Sequence, residues 1–336
     1  MKTLIVLACA IAGATALLSA PPAQGASKKH ARSHAATLTA KNVNDATLVA
    51  KVGPRSHGAA VLRAQVLLDR AHFSPGEIDA GFGSNLHIAI LGYQSANSLD
   101  ATGIIDAATW SALDRDTAPV LIDYTLTAAD VAGPFNPIPA GPAAQAKLSA
   151  LGYTSSIEEL GERFHASPKL LQQLNPGKDF ATAGDIIVAP DVTATVALPK
   201  GAKVVVDKSD STVTLLDAAG KTLAQYPAST GSVHDSLPIG TWKIQGVARN
   251  PTFHYNPALF WDADPKNAKA TLPAGPNNPV GVVWIDLSKP HYGIHGTPEP
   301  SKIGKTESHG CIRLTNWDAS ELSQAVSPGM PAILQE

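Results

Sequence analysis

Between residues 59 and 113 apolar side chains recur every three to four positions, whereas from residue 202 onward they alternate or form short runs broken by glycine and proline. The first rhythm predicts helices. It runs through Val61, Leu62, Val66 and Leu68, breaks at Ser74-Pro75-Gly76, and resumes through Ile88, Leu91 and Tyr93. Gly76 to Gly83 forms a turn segment that recurs in weaker form at Gly103-Ile104-Ile105-Asp106, as expected of a compact helical unit with looped corners. The second rhythm predicts strands at Lys203 to Asp207, Val213 to Asp217, Leu223 to Pro227, Thr241 to Val247, Gly281 to Leu287 and Pro331 to Leu334. Thr315 to Asp318 offers a cap for one late helix reaching Val326. Many short strands separated by turns predict a β-sandwich or barrel.

The middle of the chain fits neither rhythm cleanly. Pro119, Pro134, Pro137, Pro139 and Pro142 make a bridge that holds no long regular element. Beyond it, Ile157, Leu160, Phe164, Leu170, Leu171 and Leu174 follow helical spacing, Asn175-Pro176 ends the helix, and Gly184 to Pro190 reads as a short closing strand.

At 336 residues, 44% hydrophobic and 16% charged, the chain can bury a core in two or three domains. Its start has the layout of a secretory leader: Lys2, an apolar run from Leu4 to Leu18, and small residues at Ala23-Gln24-Gly25. That run is too short to span a membrane, so the reading is an exported protein of the periplasm or cell envelope without stable membrane insertion. Cys9 lies inside the run rather than at its end, which argues against a lipid anchor. Leader removal leaves Cys311 as a lone thiol in an oxidising compartment. A net charge of −2 argues against nucleic acid as a partner; Lys28, Lys29 and Arg32 form only a small basic tether.

Cys311 lies in Ser308-His309-Gly310-Cys311-Ile312-Arg313, sixteen residues after His295 in His295-Gly296-Thr297. A thiol with an ordinary pKa near ~8.5 is mostly protonated at neutral pH, so nucleophilic work needs a base. His295 ends an apolar run that suits a strand beside Cys311, which makes it the better base than His309, two residues from the thiol. Gly310 permits a sharp turn before the nucleophile, and the amides of Gly310 and Cys311 suit an oxyanion. No carboxylate is placed to orient His295, so the carbonyl of Gly296 is the expected acceptor. Two plainer readings compete: an inert buried thiol, and zinc held by Cys311, His295 and His309, for which a fourth ligand is missing. No metal or cofactor is expected. His254 is read as a pocket wall, and Trp242, Trp261 and Trp284 as core.

Three resemblances attach to these residues. Gln65, Asp79, Gly81, Gly83, Tyr93-Gln94, Gly103 to Asp106 and Thr109-Trp110 resemble the peptidoglycan-binding type 1 domain, a three-helix module. Tyr153 to Pro190 resembles a LysM glycan-binding module, with Ser155-Ser156-Ile157 in place of the usual opening. His295-Gly296-Thr297 with Ser308 to Arg313, supported by Tyr226 to Gly231, Pro238 to Trp242 and Gly275 to Gly281, resembles the L,D-transpeptidases of the YkuD family.

These resemblances imply a multidomain α+β chain: leader 1–25, flexible linker 26–52, helical peptidoglycan-binding domain 53–116, Pro-rich bridge and LysM-like module 117–200, and mainly-β catalytic domain 201–336. They imply a two-step acyl transfer in which Cys311 attacks the bond between the diamino acid and D-Ala of a peptidoglycan stem tetrapeptide. The resulting thioester passes to an amine of a second stem, giving a 3→3 cross-link. Ser308, His309, Thr297 and Arg313 would meet substrate, Arg313 through a stem carboxylate. Water, a free D-amino acid or an envelope protein as acceptor, and a non-catalytic wall-binding protein, are the alternatives.

Overall fold

The computed structural model of the protein describes residues 38–264 and 266–336. The leader and linker residues 26–37 lie outside them. The described helices are α1 Ala40–Val43, α2 Ala59–Arg70, α3 Ser84–Ala96, α4 Ala107–Leu113, α5 Ala128–Ala132, α6 Pro142–Gln145, α7 Ser156–Arg163, α8 Pro168–Leu174 and α9 Asn316–Ala325. The strands are β1 Leu121–Thr125, β2 Ile186–Pro190, β3 Lys203–Asp207, β4 Thr212–Leu216, β5 Thr222–Pro227, β6 Gly240–Arg249, β7 Phe253–Tyr255, β8 Ala270–Leu272, β9 Val283–Leu287, β10 Gly293–His295, β11 Ile312–Arg313 and β12 Pro331–Gln335. None of the described helices is long and apolar enough to cross a membrane.

In the front unit, α2, α3 and α4 bury Leu62, Val66, Ile90 and Trp110. Its two similar turns have one cause. Gln65 accepts from the Ala80 amide at 2.8 Å and donates to Asp79 Oδ1 at 2.9 Å. Gln94 repeats the device, accepting from the Thr102 and Gly103 amides at 2.9 Å and donating to the Ile104 carbonyl at 2.8 Å. A buried glutamine thus satisfies loop backbone that would otherwise lack partners.

Residues 38–52, expected to be flexible linker, are built into the fold. Val43 and Val52 are fully buried, and the Asn44 side chain accepts from the Val120 and Leu121 amides. The apolar residues of this stretch are mostly small or exposed and keep no steady spacing, so no hydrophobic period registers. The Pro-rich bridge likewise contains β1, which pairs antiparallel with β2; the short helices α5 and α6 follow β1 in the chain, and α7 and α8 precede β2, so that the strand pair and the two later helices make a β–α–α–β module. Strand pairing here depends on a partner about sixty residues away, which local composition does not encode.

The back half is built on an eight-stranded sheet in the order β11-β10-β9-β6-β12-β3-β4-β5, with parallel pairings at β10–β11 and β12–β3, and β7 and β8 pair separately. Alternation of buried Val204, Val206, Val213 and Leu215 sets the register of β3 against β4. Residues just beyond β5 bridge back to the opposite edge, Ser229 to Arg313 and Gly231 to Ser308, so the sheet curls toward a barrel. Helix α9, capped by Thr315 accepting from the Asp318 amide at 3.1 Å, packs Leu322 and Ala325 into that core. The front unit docks on the β5 edge through Ser74 N–H to the Gln225 carbonyl and Gln225 N–H to the His72 carbonyl, each at 2.9 Å.

Candidate active site

Cys311 lies one residue before β11, and His295 ends β10. The two strands are parallel, with Ile294 opposite Ile312 and His295 opposite Arg313. Side chains alternate along each strand, so His295 and Cys311 share one face as diagonal neighbours while Ile294 and Ile312 enter the core on the other.

His295 is 5% exposed. Its Nδ1 donates to the Gly296 carbonyl at 2.7 Å, which leaves Nε2 as the acceptor nitrogen. Register puts Trp284 of β9 directly opposite, and its ring stacks on the imidazole at a centroid distance of 5.4 Å and 16°. Burial pushes the His295 imidazolium down to about 4, against the Gly296 hydrogen bond and helped by the Arg313 charge. Burial pushes the Cys311 thiol up to about 11, opposed by the Gly293 amide and Arg313. At neutral pH both groups are therefore uncharged, a thiol and an unprotonated imidazole rather than a thiolate and an imidazolium. The half-buried thiol donates to the His291 carbonyl at a sulfur distance of 3.6 Å.

Gly310 turns the chain ahead of Cys311 at φ +97, a conformation that favours glycine, and a Cβ there would stand 2.8 Å from the Tyr292 ring. Ser308 is buried and donates from Oγ to the Cys311 carbonyl at 2.5 Å. That bond clamps the loop on both sides of the turn. His309 points the other way, its Nε2 2.8 Å from Asp262 Oδ1 and its ring edge-on to Phe260. Asp262 and Phe260 belong to the excursion between β7 and β8, so His309 ties the cysteine loop to that flap. Arg313 donates to the Glu307 carbonyl and to Thr306 Oγ1. Thr297 is buried and accepts from the Glu299 amide at 3.2 Å. His254 is exposed on β7, its Nδ1 3.1 Å from Thr271 Oγ1.

The structure thus gathers His295, Gly296, Ser308, Gly310, Cys311 and Arg313, and leaves His309 and His254 on the flap side. The zinc reading loses its third ligand, because His309 is turned onto Asp262. Sequence reasoning missed Trp284, Tyr292 and Asp262. Trp284 was read only as core, because its pairing with His295 follows from the β9–β10 register.

Two stretches of the chain match known protein families. Residues 201–334 match the L,D-transpeptidase catalytic domain of the YkuD family, and residues 57–113 match a domain described as "Putative peptidoglycan binding domain". The Bacillus subtilis protein named "Putative L,D-transpeptidase YkuD" is 31% identical over 175 residues, 52% of this chain and 90% of that protein. The chain belongs to the YkuD family of L,D-transpeptidases. A more distant relative of this transpeptidase, "Probable L,D-transpeptidase YbiS" of Escherichia coli, is 27% identical over 53% of the chain and 59% of its own length. The crystal structure of L,D-transpeptidase 3 from Mycobacterium tuberculosis with a faropenem-derived adduct aligns at 20% identity and TM-score 0.34, covering 46% of this chain and 75% of that one.

The multidomain α+β architecture, with a helical peptidoglycan-binding unit ahead of a mainly-β transpeptidase domain, is as expected from the sequence. Membership makes the chain a transpeptidase of the cell envelope with peptidoglycan as its substrate.

Proposed function

We propose that Cys311 is the nucleophile, that His295 takes its proton, and that the product is a 3→3 cross-link between peptidoglycan stems. The observation that carries this reading is the diagonal placement of the two side chains on one sheet face, with Nδ1 of His295 committed to Gly296. Because both groups start neutral, the proton moves from Sγ to Nε2 as sulfur attacks the carbonyl of the diamino acid. The amides of Gly310 and Cys311 hold the oxyanion, and collapse to the thioester expels D-Ala, its nitrogen taking the proton from His295. An amine of a second stem then attacks the thioester, gives its proton to His295, and Cys311 leaves as the thiol. Arg313 and Thr297 line the donor side, with His309 and His254 on the flap side.

The front helical unit and the β–α–α–β module would hold the enzyme on its polymer, the second as a LysM-like glycan binder, and so raise the local substrate concentration. Export by cleavage of residues 1–25 would put the enzyme in the periplasm.

Incubation of the purified protein with a carbapenem, read by intact mass, tests the nucleophile. One adduct on wild type and none on Cys311→Ala is expected; an adduct retained by Cys311→Ala would sink the assignment. Muropeptide analysis with tetrapeptide stems tests the acceptor, since tripeptides without 3→3 dimers would mean that water takes the acyl group.

A further inference from the structure

Gly296 supplies the carbonyl that fixes His295, so whatever fixes Gly296 also fixes the imidazole. Little space is left around it. A Cβ on Gly296 would stand 2.2 Å from Asn316 Oδ1, and one on Gly281 would stand 2.0 Å from the same atom. Asn316, the first residue of α9, is therefore wedged between the two loops that flank the histidine. Its Oδ1 accepts from the Val282 amide at 3.2 Å, and its Nδ2 donates to the Pro276 carbonyl at 3.2 Å.

The remaining partner comes from outside the catalytic domain. Asn316 Nδ2 also donates to Glu162 Oε1 of α7 at 3.1 Å. The same helix grips the 276–281 loop a second time, where Asn277 Nδ2 donates to Glu158 Oε1 at 2.6 Å. Close by, Asn277 N–H donates to the Leu151 carbonyl at 3.0 Å, and Gly275 lies so near that carbonyl that a Cβ would stand 2.2 Å away. Burial pushes the half-buried Glu162 up to about 7, against the hydrogen bond from Asn316. A group that accepts hydrogen bonds in either protonation state suits this position.

We infer that Glu162, on a helix of the β–α–α–β module, is a positioning residue for the transpeptidase reaction, acting through Asn316 on Gly296 and so on the orientation of His295. The inference rests on the proposed role of His295 as base. Its consequence is that the module is part of the catalytic apparatus and not only a tether. Losing the acceptor would leave Asn316 held only by Val282 and Pro276, let its amide shift, relax Gly296 and misaim Nε2, which slows proton transfer without altering the surface that meets the acyl donor.

The test compares Glu162→Gln, which keeps an acceptor oxygen, with Glu162→Leu, which fills similar volume without one, in the full chain. Carbapenem inactivation is followed to saturation to separate the limiting acylation rate from the half-saturating concentration, with thermal unfolding measured alongside. Expected for Glu162→Leu is a limiting rate reduced roughly tenfold at unchanged half-saturation, with Glu162→Gln within about twofold of wild type. Glu162→Ala, which leaves space instead of an apolar group, should slow acylation to the same degree. Wild-type rates in both Leu and Ala variants, or equal slowing in Gln and Leu, would overturn the inference while leaving the nucleophile assignment intact. A wild-type protein that takes no acyl group would instead overturn the cysteine reading and this one with it.

Discussion

Among the described residues, two histidine sites are tuned in opposite directions. His295, in the catalytic sheet, has a backbone carbonyl and a tryptophan face for company, and burial carries its pKa down to about 4. His72 and His165, where the front unit and the β–α–α–β module meet the catalytic domain, have carboxylates. His72 Nδ1 is 2.8 Å from Glu321 Oε1, and His165 Nδ1 is 3.0 Å from Asp69 Oδ2. Burial lowers both, but Glu321 and Asp69 outweigh it and each pKa ends above the ordinary imidazole value. Burial alone therefore does not decide the charge of a histidine; the partner does. A base must be neutral to accept a proton, whereas an interface gains from a protonated ring paired with an acid.

The largest effect expected from breaking this contrast is at His295. Glutamine there keeps a polar side chain but cannot take the thiol proton, and the thiol, already raised to about 11, has no other means of ionising. Acylation by a carbapenem should fall by about 10²–10⁴-fold in His295→Gln with little change in thermal unfolding. A rate within threefold of wild type would mean that the base lies elsewhere. The high thiol pKa also has a protective side, because a neutral thiol resists oxidation better than a thiolate.

At the interface the expected effect is smaller and appears in stability. With folded pKa values above the unfolded 6.5, His72 and His165 add stability that is complete below pH 6.5 and is lost as pH rises through the raised values. Asp318 acts in the same direction: burial and the neighbouring Asp69 hold it protonated up to about 8, so the folded state sheds that proton late. The His295 contribution has the opposite slope, since a folded pKa near 4 adds stability as pH rises from about 4 to 6.5. The thermal unfolding temperature of the full chain should accordingly fall as pH rises from 6.5 to about 8. Asp69→Asn removes the His165 partner and the charge facing Asp318, and should flatten that fall by about 2–4 °C. An unchanged slope in Asp69→Asn would show that these pairs do not set the pH response.

Much of the catalytic domain was legible because β3, β4, β5, β6, β9 and β12 carry buried and exposed positions in alternation or in short apolar runs. β10 and β11 are three and two residues long, too short for periodicity, yet the motif spacing across them still pointed to neighbouring strands. β7 and β8 escaped notice, since three-residue strands around a long loop of mixed polarity give no period. The interfaces were the least legible part. Gln225, Asn85, His165 and Glu162 are single polar residues whose partners lie more than ninety positions away or in another module, and no local pattern marks them. The covering of His295 is also hidden from local pattern, because Trp284 reads as ordinary core until the β9–β10 register is known.

That stacking contact supports the smallest and most specific expectation. Trp284 covers one face of the His295 ring and is itself held by Nε1 donating to Asp286 Oδ1 at 3.1 Å. Leucine at this position keeps an apolar contact but uncovers part of the ring, lets water solvate the imidazolium and brings the pKa back toward 6.5. The acid limb of the acylation pH profile should then move upward by about one unit in Trp284→Leu, with the rate at pH 8 close to that of wild type. A limb that stays in place would assign the low pKa to Arg313 and the curled sheet around it, and the contrast between the two histidine sites would then rest on the missing carboxylate alone.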